Sequence, residues 1–277
     1  MVNRTANNGV GGVINGVGAR IVRLRRERMF NRFAKTESLL LETARSASGN
    51  VGPCDELPLI SVTIATYNRS DLLTKRTLPS IFGQTYPNLE IIIVGDGCTD
   101  RTAEMITEIG DSRVRFVNLP ERGKYPSDQR KRWMVAGVPP INEALRLARG
   151  TWIAHIDDDD IFEPEHIETM LRFAREGLYE FVYSKMSKQT GTDSWEIIGS
   201  APDGCWHVPH SNAFFRSYLK LFKFDLNSWR YELTADHQVW ERMSRCGVRV
   251  GFLDRTTTQS PLRPGATSHK WMAEDRV

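Results

Sequence analysis

The sequence predicts an α/β protein with a mainly parallel central sheet, helices on both of its faces and a helical arm at the N-terminus. Short apolar, β-branched runs alternate with helical patterns between residues 59 and 176, as strands and crossover helices do in a parallel sheet. Charge also divides the chain: residues 1–55 contain nine Lys/Arg and four Asp/Glu, whereas the other 222 residues contain 28 and 30. We therefore assign residues 1–55 to a basic arm and residues 56–277 to the folded body.

The overall composition excludes several classes of protein. The 277 residues are 40% hydrophobic and 26% charged, which is typical of a globular protein and not of a disordered or fibrous one. No apolar run approaches the roughly 18–20 residues that span a bilayer, and the N-terminus is a poor match to a secretory signal. The four cysteines lie far apart, which argues against a disulfide framework or a thiolate zinc site. We expect a cytoplasmic protein and, because the body is mildly acidic, no nucleic-acid partner.

The arm contains one predicted helix, residues 19–45, and a linker rich in Gly, Ser and Pro at residues 46–58. One face of the helix is apolar, and arginines populate much of the rest. We interpret the helix as packing on the body or on a second subunit in a homo-oligomer. The alternative is peripheral contact with an anionic membrane surface. In either case we expect residues 1–55 to be dispensable for the chemical step.

The body begins with alternating strands and helices. The predicted strands are residues 59–68, 89–97, 113–119 and 151–160, and the predicted helices are residues 71–83, a segment from about residue 99, residues 141–150 and residues 163–176. We expect Pro79 to bend the first helix or limit it to its first turn, and Gly150 to cap the third. Beyond residue 180 the pattern predicts strands at 181–187, 195–200, 212–217 and 249–254, and one helix at 235–246.

Four adjacent carboxylates, Asp157 to Asp160, directly follow the buried strand that ends in WIAHI. Because adjacent carboxylates repel one another, such a run at the end of a buried strand raises the free energy of the fold unless a cation compensates the charge. Carboxylate oxygens suit Mg²⁺ or Mn²⁺, and ligands bind at the carboxyl ends of strands in open α/β sheets. The alternative is a solvated acidic loop that caps the following helix. We favour a divalent metal site.

Val94-Gly95-Asp96-Gly97 ends the second predicted strand. Glycines allow a ligand to approach the backbone, and one carboxylate can accept hydrogen bonds from a base or a ribose. The alternative is an ordinary glycine-rich turn. The sequence contains neither G-x-G-x-x-G nor G-x-x-x-x-G-K-[ST], which argues against a dinucleotide-binding domain and a P-loop.

Three segments together resemble the family 2 nucleotide-sugar glycosyltransferases with the GT-A fold. They are ISVTIATYNR, QTYPNLEIIIVGDGCTDRT and NEALRLARGTWIAHIDDDDIFEPEHIE. The resemblance is close over residues 59–180 and weaker to about residue 268. It implies a nucleotide-diphosphate sugar donor, a divalent metal and an inverting transfer. It also implies that residues 56–180 bind the donor and residues 181–277 the acceptor.

The resemblance assigns residues to the donor. The nucleotide would be held after the first strand by Thr66, Tyr67, Asn68 and Arg69. Asp96 matches the acidic residue that contacts the base, although its usual acidic neighbour is Gly95 here. Asp157 and Asp159 match the outer residues of the D-x-D motif, which hold ribose, diphosphate and metal. Asp158 is the middle residue of this motif.

On the acceptor side, TADHQVWERM resembles a motif that normally carries Glu-Asp at a helix start. Ala235 replaces the Glu, and Asp236 is the implied general base. The alternative for Asp236 is an N-capping carboxylate. His269 is a candidate metal ligand.

Three further features remain open. The basic stretch at residues 121–133 is either a loop that closes on the diphosphate or meets an anionic acceptor, or a solvated surface loop. His207 and His210 fall on the acceptor side, with either a structural or a substrate-contacting role.

The sequence therefore predicts an inverting, metal-dependent glycosyltransferase. The chain lacks the Q-x-x-R-W pattern and the membrane helices of processive family members, which favours the addition of a single sugar. Two alternatives remain open: a metal-dependent nucleotidyltransferase, and a degenerate scaffold that binds a nucleotide or glycan without catalysis. The sugar, the nucleobase and the acceptor are not specified by the sequence.

Overall fold

The computed structural model describes residues 16–48, 57–201 and 208–266. The helices are α1 (Gly16–Ala47), α2 (Ser70–Leu72), α3 (Leu78–Phe82), α4 (Thr102–Ile109), α5 (Gln129–Val135), α6 (Val138–Leu147), α7 (His166–Glu176) and α8 (Ala235–Arg245). The strands are β1 (Ile60–Thr66), β2 (Leu89–Gly95), β3 (Val114–Asn118), β4 (Trp152–His155), β5 (Ile161–Phe162), β6 (Phe181–Gln189), β7 (Trp195–Ile198), β8 (Phe214–Arg216) and β9 (Val250–Ser260).

The strands form a single sheet in the order β3-β2-β1-β4-β8-β6-β9-β5, and β7 pairs with β6. Strands β3, β2, β1 and β4 are mutually parallel, and β8 joins them to the mixed second half as an antiparallel strand. Thr66 pairs with Gly95, so β1 and β2 end at the same level. Their following residues, Tyr67 and Asp96, therefore lie at one edge of the sheet.

Helices cover both faces of the sheet, as the sequence predicts. The alternation of side chains in β2 sends Ile92 and Val94 to one face and Ile91 and Ile93 to the other. The first face packs against α6 and α8, and the second packs against α3 and α7. This arrangement explains the continuous apolar runs of the parallel strands, because both faces of each are buried.

The helix that contains Pro79 is not shortened. Residues 70–82 remain helical, but Leu73–Thr77 form a π-helical turn between α2 and α3. Pro79 lies in the first turn of α3, where a missing backbone N–H costs no helical hydrogen bond. The local widening therefore accommodates the proline.

Two predicted features of the 121–150 region are wrong. α6 begins at Val138 and ends at Leu147, so Gly150 does not cap it; a Cβ at Gly150 would lie 2.7 Å from the Leu59 carbonyl oxygen. Gly150 is needed for this close approach of backbones. The basic stretch also contains a helix that we did not predict, α5, whose N-cap Asp128 accepts a hydrogen bond from the Lys131 amide at 2.9 Å.

Helix α1 packs on the body. Met29 and Phe30 are buried with Leu233, and Leu41 is part of the main core. Glu37 forms a buried ion pair with Arg242 of α8. Removing the helix would leave the Arg242 guanidinium buried without a carboxylate, so this packing argues against our expectation that residues 1–55 are dispensable. The division of the body at residue 180 remains a prediction.

None of the helices in the described ranges combines the length and the apolar character that crossing a bilayer requires.

Candidate functional site

A cleft of about 450 Å³ opens at the carboxyl edge of β1, β2 and β4. It brings together most of the residues that the sequence predicts for the site. These are Thr66, Tyr67, Arg69, Asp96, Asp157, Asp158, Asp159 and Asp236. The cleft is completed by residues from segment 122–141 and by His210, Phe224, Thr234, Ala235 and Arg263.

Asn68 is the described exception among the predicted residues, because it does not line the cleft. Its backbone is left-handed, with φ of 52°. Its side-chain oxygen accepts a hydrogen bond from the Thr99 amide at 2.8 Å, and its amide group donates to the Thr99 hydroxyl at 3.2 Å. In this structure Asn68 joins the turn after β1 to the turn after β2.

Asp96 is buried and binds the segment that follows β3. One carboxylate oxygen accepts a hydrogen bond from the Gly123 amide at 2.9 Å, and the other accepts one from the Tyr125 hydroxyl at 2.6 Å. Burial raises the pKa of Tyr125, and the hydrogen bond to Asp96 raises it further, so the hydroxyl remains a donor. Asp96 thus anchors the basic stretch against the end of β2.

The same stretch also packs on the turn after β1. The Arg122 guanidinium lies 3.8 Å from the centre of the Tyr67 ring. Gly97, with φ of 69°, allows this approach, since a Cβ there would lie 2.6 Å from the Arg122 amide nitrogen. The glycine-rich turn thus serves close backbone packing, and it places Tyr67 and Arg122 together at the cleft wall.

The acidic run is paired with basic side chains from three different parts of the chain. Arg69 pairs with Asp158 at 2.6 Å and reaches Asp159 at 3.4 Å. Arg263 pairs with Asp159 at 2.8 Å. The His210 ring nitrogen Nδ1 lies 2.9 Å from Asp157. The carboxylates therefore do not form a solvated acidic loop.

The four carboxylates differ in their environment. The Asp157 side chain is 51% exposed and that of Asp159 is 17% exposed, whereas Asp158 and Asp160 are buried. Burial raises the pKa of Asp158 to about 6, although the Arg69 charge opposes the shift. Burial raises the pKa of Asp160 to about 8, and repulsion by the other carboxylates adds to the effect. Asp160 accepts a hydrogen bond from the Ser211 hydroxyl at 2.5 Å.

His210 is held by a ring stack that no local sequence pattern predicts. Its ring stacks on His155 with 4.8 Å between centroids, and Phe224 packs edge-on against both rings. Burial alone would lower the pKa of His210, but the nearby carboxylates, Asp157 first and then Asp236 and Asp160, together raise it. His155 is buried beneath, and its Nδ1 lies 2.5 Å from the Thr63 hydroxyl. His210 therefore positions Asp157.

The donor atoms of the acidic run are suited to a hard divalent cation. Asp157 and Asp159 present carboxylate oxygens to the cleft, which Mg²⁺ and Mn²⁺ prefer. Across the described ranges, no three His, Cys, Asp or Glu side chains are grouped so as to enclose a metal ion. The residues thus fit an open site that substrate oxygens and water would complete. His207 and His269 lie outside the described residues.

Asp236 lies in the first turn of α8, at the wall of the cleft formed by the second half of the chain. The N-cap residue of this helix is Thr234, not Asp236. One Asp236 oxygen accepts a hydrogen bond from the adjacent His237 amide at 2.8 Å. The carboxylate is therefore placed at the cleft and is not the N-cap that the alternative interpretation required.

Comparison with known proteins identifies the family. The sequence model described as glycosyl transferase family 2 matches residues 61–132 and 138–236, which include every cleft residue of the sequence prediction from Thr66 to Asp236. The chain belongs to glycosyl transferase family 2. The predicted family is thereby confirmed.

Two relatives illustrate the extent of the similarity. An uncharacterized glycosyltransferase of Haemophilus influenzae is 26% identical over 224 residues, which is 72% of this chain and 64% of the relative. The Escherichia coli protein WfaP, named UDP-Glc:alpha-D-GlcNAc-diphosphoundecaprenol beta-1,3-glucosyltransferase, is 32% identical over 46% of each chain. This chain thus spans less than two thirds of the length of these relatives.

A solved structure confirms the GT-A fold. The mannosyltransferase PcManGT of Pyrobaculum calidifontis, in complex with GDP-Man and Mn²⁺, superposes with a TM-score of 0.58. The superposition covers 91% of this chain and 70% of PcManGT at 17% identity. At this identity the likeness establishes the fold, and the roles of single residues depend on the geometry of the cleft.

Proposed function

We propose that this family 2 protein is an inverting glycosyltransferase that moves a single sugar from a nucleotide-diphosphate sugar to an acceptor hydroxyl. One observation carries the proposal: a single cleft contains Asp96, the acidic run after β4 and, from a different element, Asp236. An inverting displacement requires a base on the side of the sugar opposite the leaving diphosphate. Carboxylates from separate elements of one cleft can meet this requirement.

The donor occupies the side of the cleft formed by β1, β2 and β4. Tyr67, Arg122 and Asp96 form the nucleoside end, where a ring and a guanidinium offer stacking and Asp96 accepts hydrogen bonds. Arg69 and Arg263 supply positive charge next to Asp158 and Asp159, where the diphosphate would lie. The names of the relatives include both UDP-Glc and GDP-Man, so they do not select a nucleobase for this chain.

Asp157 and Asp159 would hold Mn²⁺ or Mg²⁺. The metal, when bound, supplies positive charge that stabilises the leaving diphosphate. The Mn²⁺ complex of PcManGT and the oxygen-rich chemistry of the two side chains support this assignment. His269 stays a proposed third ligand on the strength of the sequence resemblance alone.

Asp236 acts as the general base. It takes the proton of the acceptor hydroxyl while that oxygen attacks the anomeric carbon and the bond to the diphosphate breaks. The N-terminus of α8 favours a carboxylate at this position, because unpaired amides there carry partial positive charge. Trp133 lines the cleft with 41% of its surface exposed and offers a ring on which an acceptor sugar can stack.

Product analysis tests this function against the nucleotidyltransferase alternative. The protein is incubated with a panel of nucleotide sugars, Mn²⁺ and candidate acceptors, and the released nucleotide is identified. Release of a nucleoside diphosphate together with a glycosylated acceptor supports glycosyl transfer. Release of pyrophosphate would overturn it, and tight donor binding without any turnover would favour a non-catalytic scaffold.

A cytoplasmic site of action is part of the proposal.

A further inference from the structure

Helix α1 presents a row of cations on the face that points away from the body. Arg25, Arg28, Arg32 and Lys35 follow one another at spacings of three and four residues, so they lie on one side of the helix. All four are exposed. Within the described ranges none of them forms an ion pair or a side-chain hydrogen bond, so their charge is uncompensated by the protein.

The carboxylates of the same helix explain why this charge remains. Glu37 points inward to Arg242, and Glu27 pairs with Arg245 of α8 at 2.9 Å. The acidic side chains of α1 are thus neutralised by arginines of the body, and Glu42, near its C-terminal end, is the exposed exception within the helix. Packing on the body therefore separates the two signs of charge and leaves the outer face cationic.

Large apolar side chains flank the cations. Ile21 and Leu24 are 46% and 52% exposed at one end, and Leu39 and Leu40 are 65% and 48% exposed at the other. The inner face of the helix is already filled by Met29 and Phe30, so these outer residues have no place in the core. A helix of 32 residues is about 48 Å long and presents this pattern along its length.

The exposed cations and the exposed apolar side chains together indicate what binds to this face of α1. Nucleic acid or another soluble polyanion would match the cations but would leave the leucines and Ile21 in water. The interface of a bilayer with acidic headgroups accepts both, because cations bind the phosphates while apolar side chains enter the acyl boundary. We infer that the outer face of α1 docks the protein on an anionic lipid surface. This inference does not depend on the proposed glycosyl transfer.

Docking through this face has a consequence for the cleft. Arg26 of α1 donates hydrogen bonds to the carbonyl oxygens of Tyr231 and Glu232, both at 2.7 Å, just before the helix that carries Asp236. The acceptor wall of the cleft is therefore tied to the membrane-facing helix.

Vesicle sedimentation of the full chain tests the inference. The triple variant Arg25→Gln, Arg28→Gln, Arg32→Gln is compared with the wild type on phosphatidylcholine vesicles with and without phosphatidylglycerol. The matched control removes three exposed cations from other elements: Arg115→Gln, Arg172→Gln and Lys223→Gln. We expect binding only to the acidic vesicles, a loss on the order of 100-fold in the α1 variant, and near-normal binding in the control.

Measurements with vesicles and with DNA distinguish binding to a lipid surface from binding to other polyanions. Leu24→Gln with Leu39→Gln should weaken vesicle binding and leave any binding to double-stranded DNA unchanged. Equal loss in the α1 variant and the control, an absence of vesicle binding by the wild type, or vesicle binding insensitive to the leucines would overturn the inference. Transfer to a soluble acceptor should persist in the α1 variant, so a failure of docking is distinguishable from a failure of the proposed function.

Discussion

The carboxylate of Asp96 is bound by the hydroxyl of Tyr125 at 2.6 Å, although the two residues are 29 positions apart. The Tyr125 oxygen in turn accepts a hydrogen bond from the Gly137 amide at 3.2 Å. The Tyr125 hydroxyl thus connects the end of β2, the basic stretch and the start of α6. Asp96 can therefore influence nucleotide binding in two ways, by direct contact and by holding this stretch in place.

Two variants separate these roles. Asp96→Ala should weaken the binding of donor and of free nucleoside diphosphate by similar factors, by roughly 1–3 kcal/mol for a hydrogen bond to a charged group. Tyr125→Phe keeps the ring and Asp96 and removes only the hydroxyl, so it should cost nucleotide binding no more than about 1 kcal/mol. Isothermal titration of the nucleoside diphosphate measures both. Equal losses in the two variants would show that Asp96 acts only through the loop.

Removal of the divalent cation should abolish transfer. We expect excess chelator to remove activity, and Asp159→Asn to lower it by about 100-fold or more, because the leaving diphosphate then loses several kcal/mol of charge stabilisation. Asp193→Asn, at an exposed position, is the control for the loss of one carboxylate. Initial rates over a Mn²⁺ titration provide the measurement. Full activity in chelator would contradict the assignment of Asp157 and Asp159.

The ion pair between α1 and α8 should matter for stability. Glu37→Gln leaves the buried Arg242 guanidinium without its countercharge, and we expect a loss of about 3–5 kcal/mol in the free energy of unfolding. Glu42→Gln changes an exposed carboxylate of the same helix and should cost less than about 0.5 kcal/mol. Urea unfolding of both variants gives the comparison. Similar stability in the two would indicate that α1 is only loosely attached.

Acid should destabilise the fold through a buried histidine. Burial lowers the pKa of His166 from 6.5 to about 3, so the folded protein holds this ring neutral while the unfolded chain takes up a proton below pH 6.5. The contribution of His166 to the free energy of unfolding is thus complete above pH 6.5. It is lost as pH falls toward 3, by about 1.4 kcal/mol per pH unit.

The variant His166→Gln should reduce the pH dependence of the urea midpoint between pH 7 and pH 5. An unaltered slope in His166→Gln would mean that the ring is protonated in the folded state or accessible to solvent. Because His155 is also buried with a pKa well below its usual value, part of the slope should remain.

Features that depend on a pattern of consecutive residues were predictable from the sequence. The runs at β1, β2 and β4 are apolar because both faces of a parallel strand are buried, and the carboxylates after them lie at one edge because parallel strands end together. Asp236 was predictable from its place at a helix start together with the family motif. These local patterns were sufficient for the parallel strands of the first half and for the carboxylates that line the cleft.

Contacts between distant segments were not predictable. Asp157 and His210 are 53 positions apart, and Glu37 and Arg242 are 205 apart, so no local periodicity relates them. The carboxylates of α1 point toward the body only because the helix packs against α8. The π-helical turn before Pro79 likewise depends on how the surrounding chain accommodates the proline. Tertiary packing decided each of these features.

The central claim is that Asp236 is the base of a glycosyl transfer, and Asp236→Asn tests it most directly. This variant keeps the shape and the hydrogen bond from the His237 amide, so folding should be preserved. We expect the transfer rate to fall by two to four orders of magnitude, roughly, while donor affinity and Tm change little. Glu232→Gln and Glu241→Gln serve as controls, since neither residue lines the cleft. Near-normal transfer by Asp236→Asn, with either control inactive, would contradict the account and move the base to that residue.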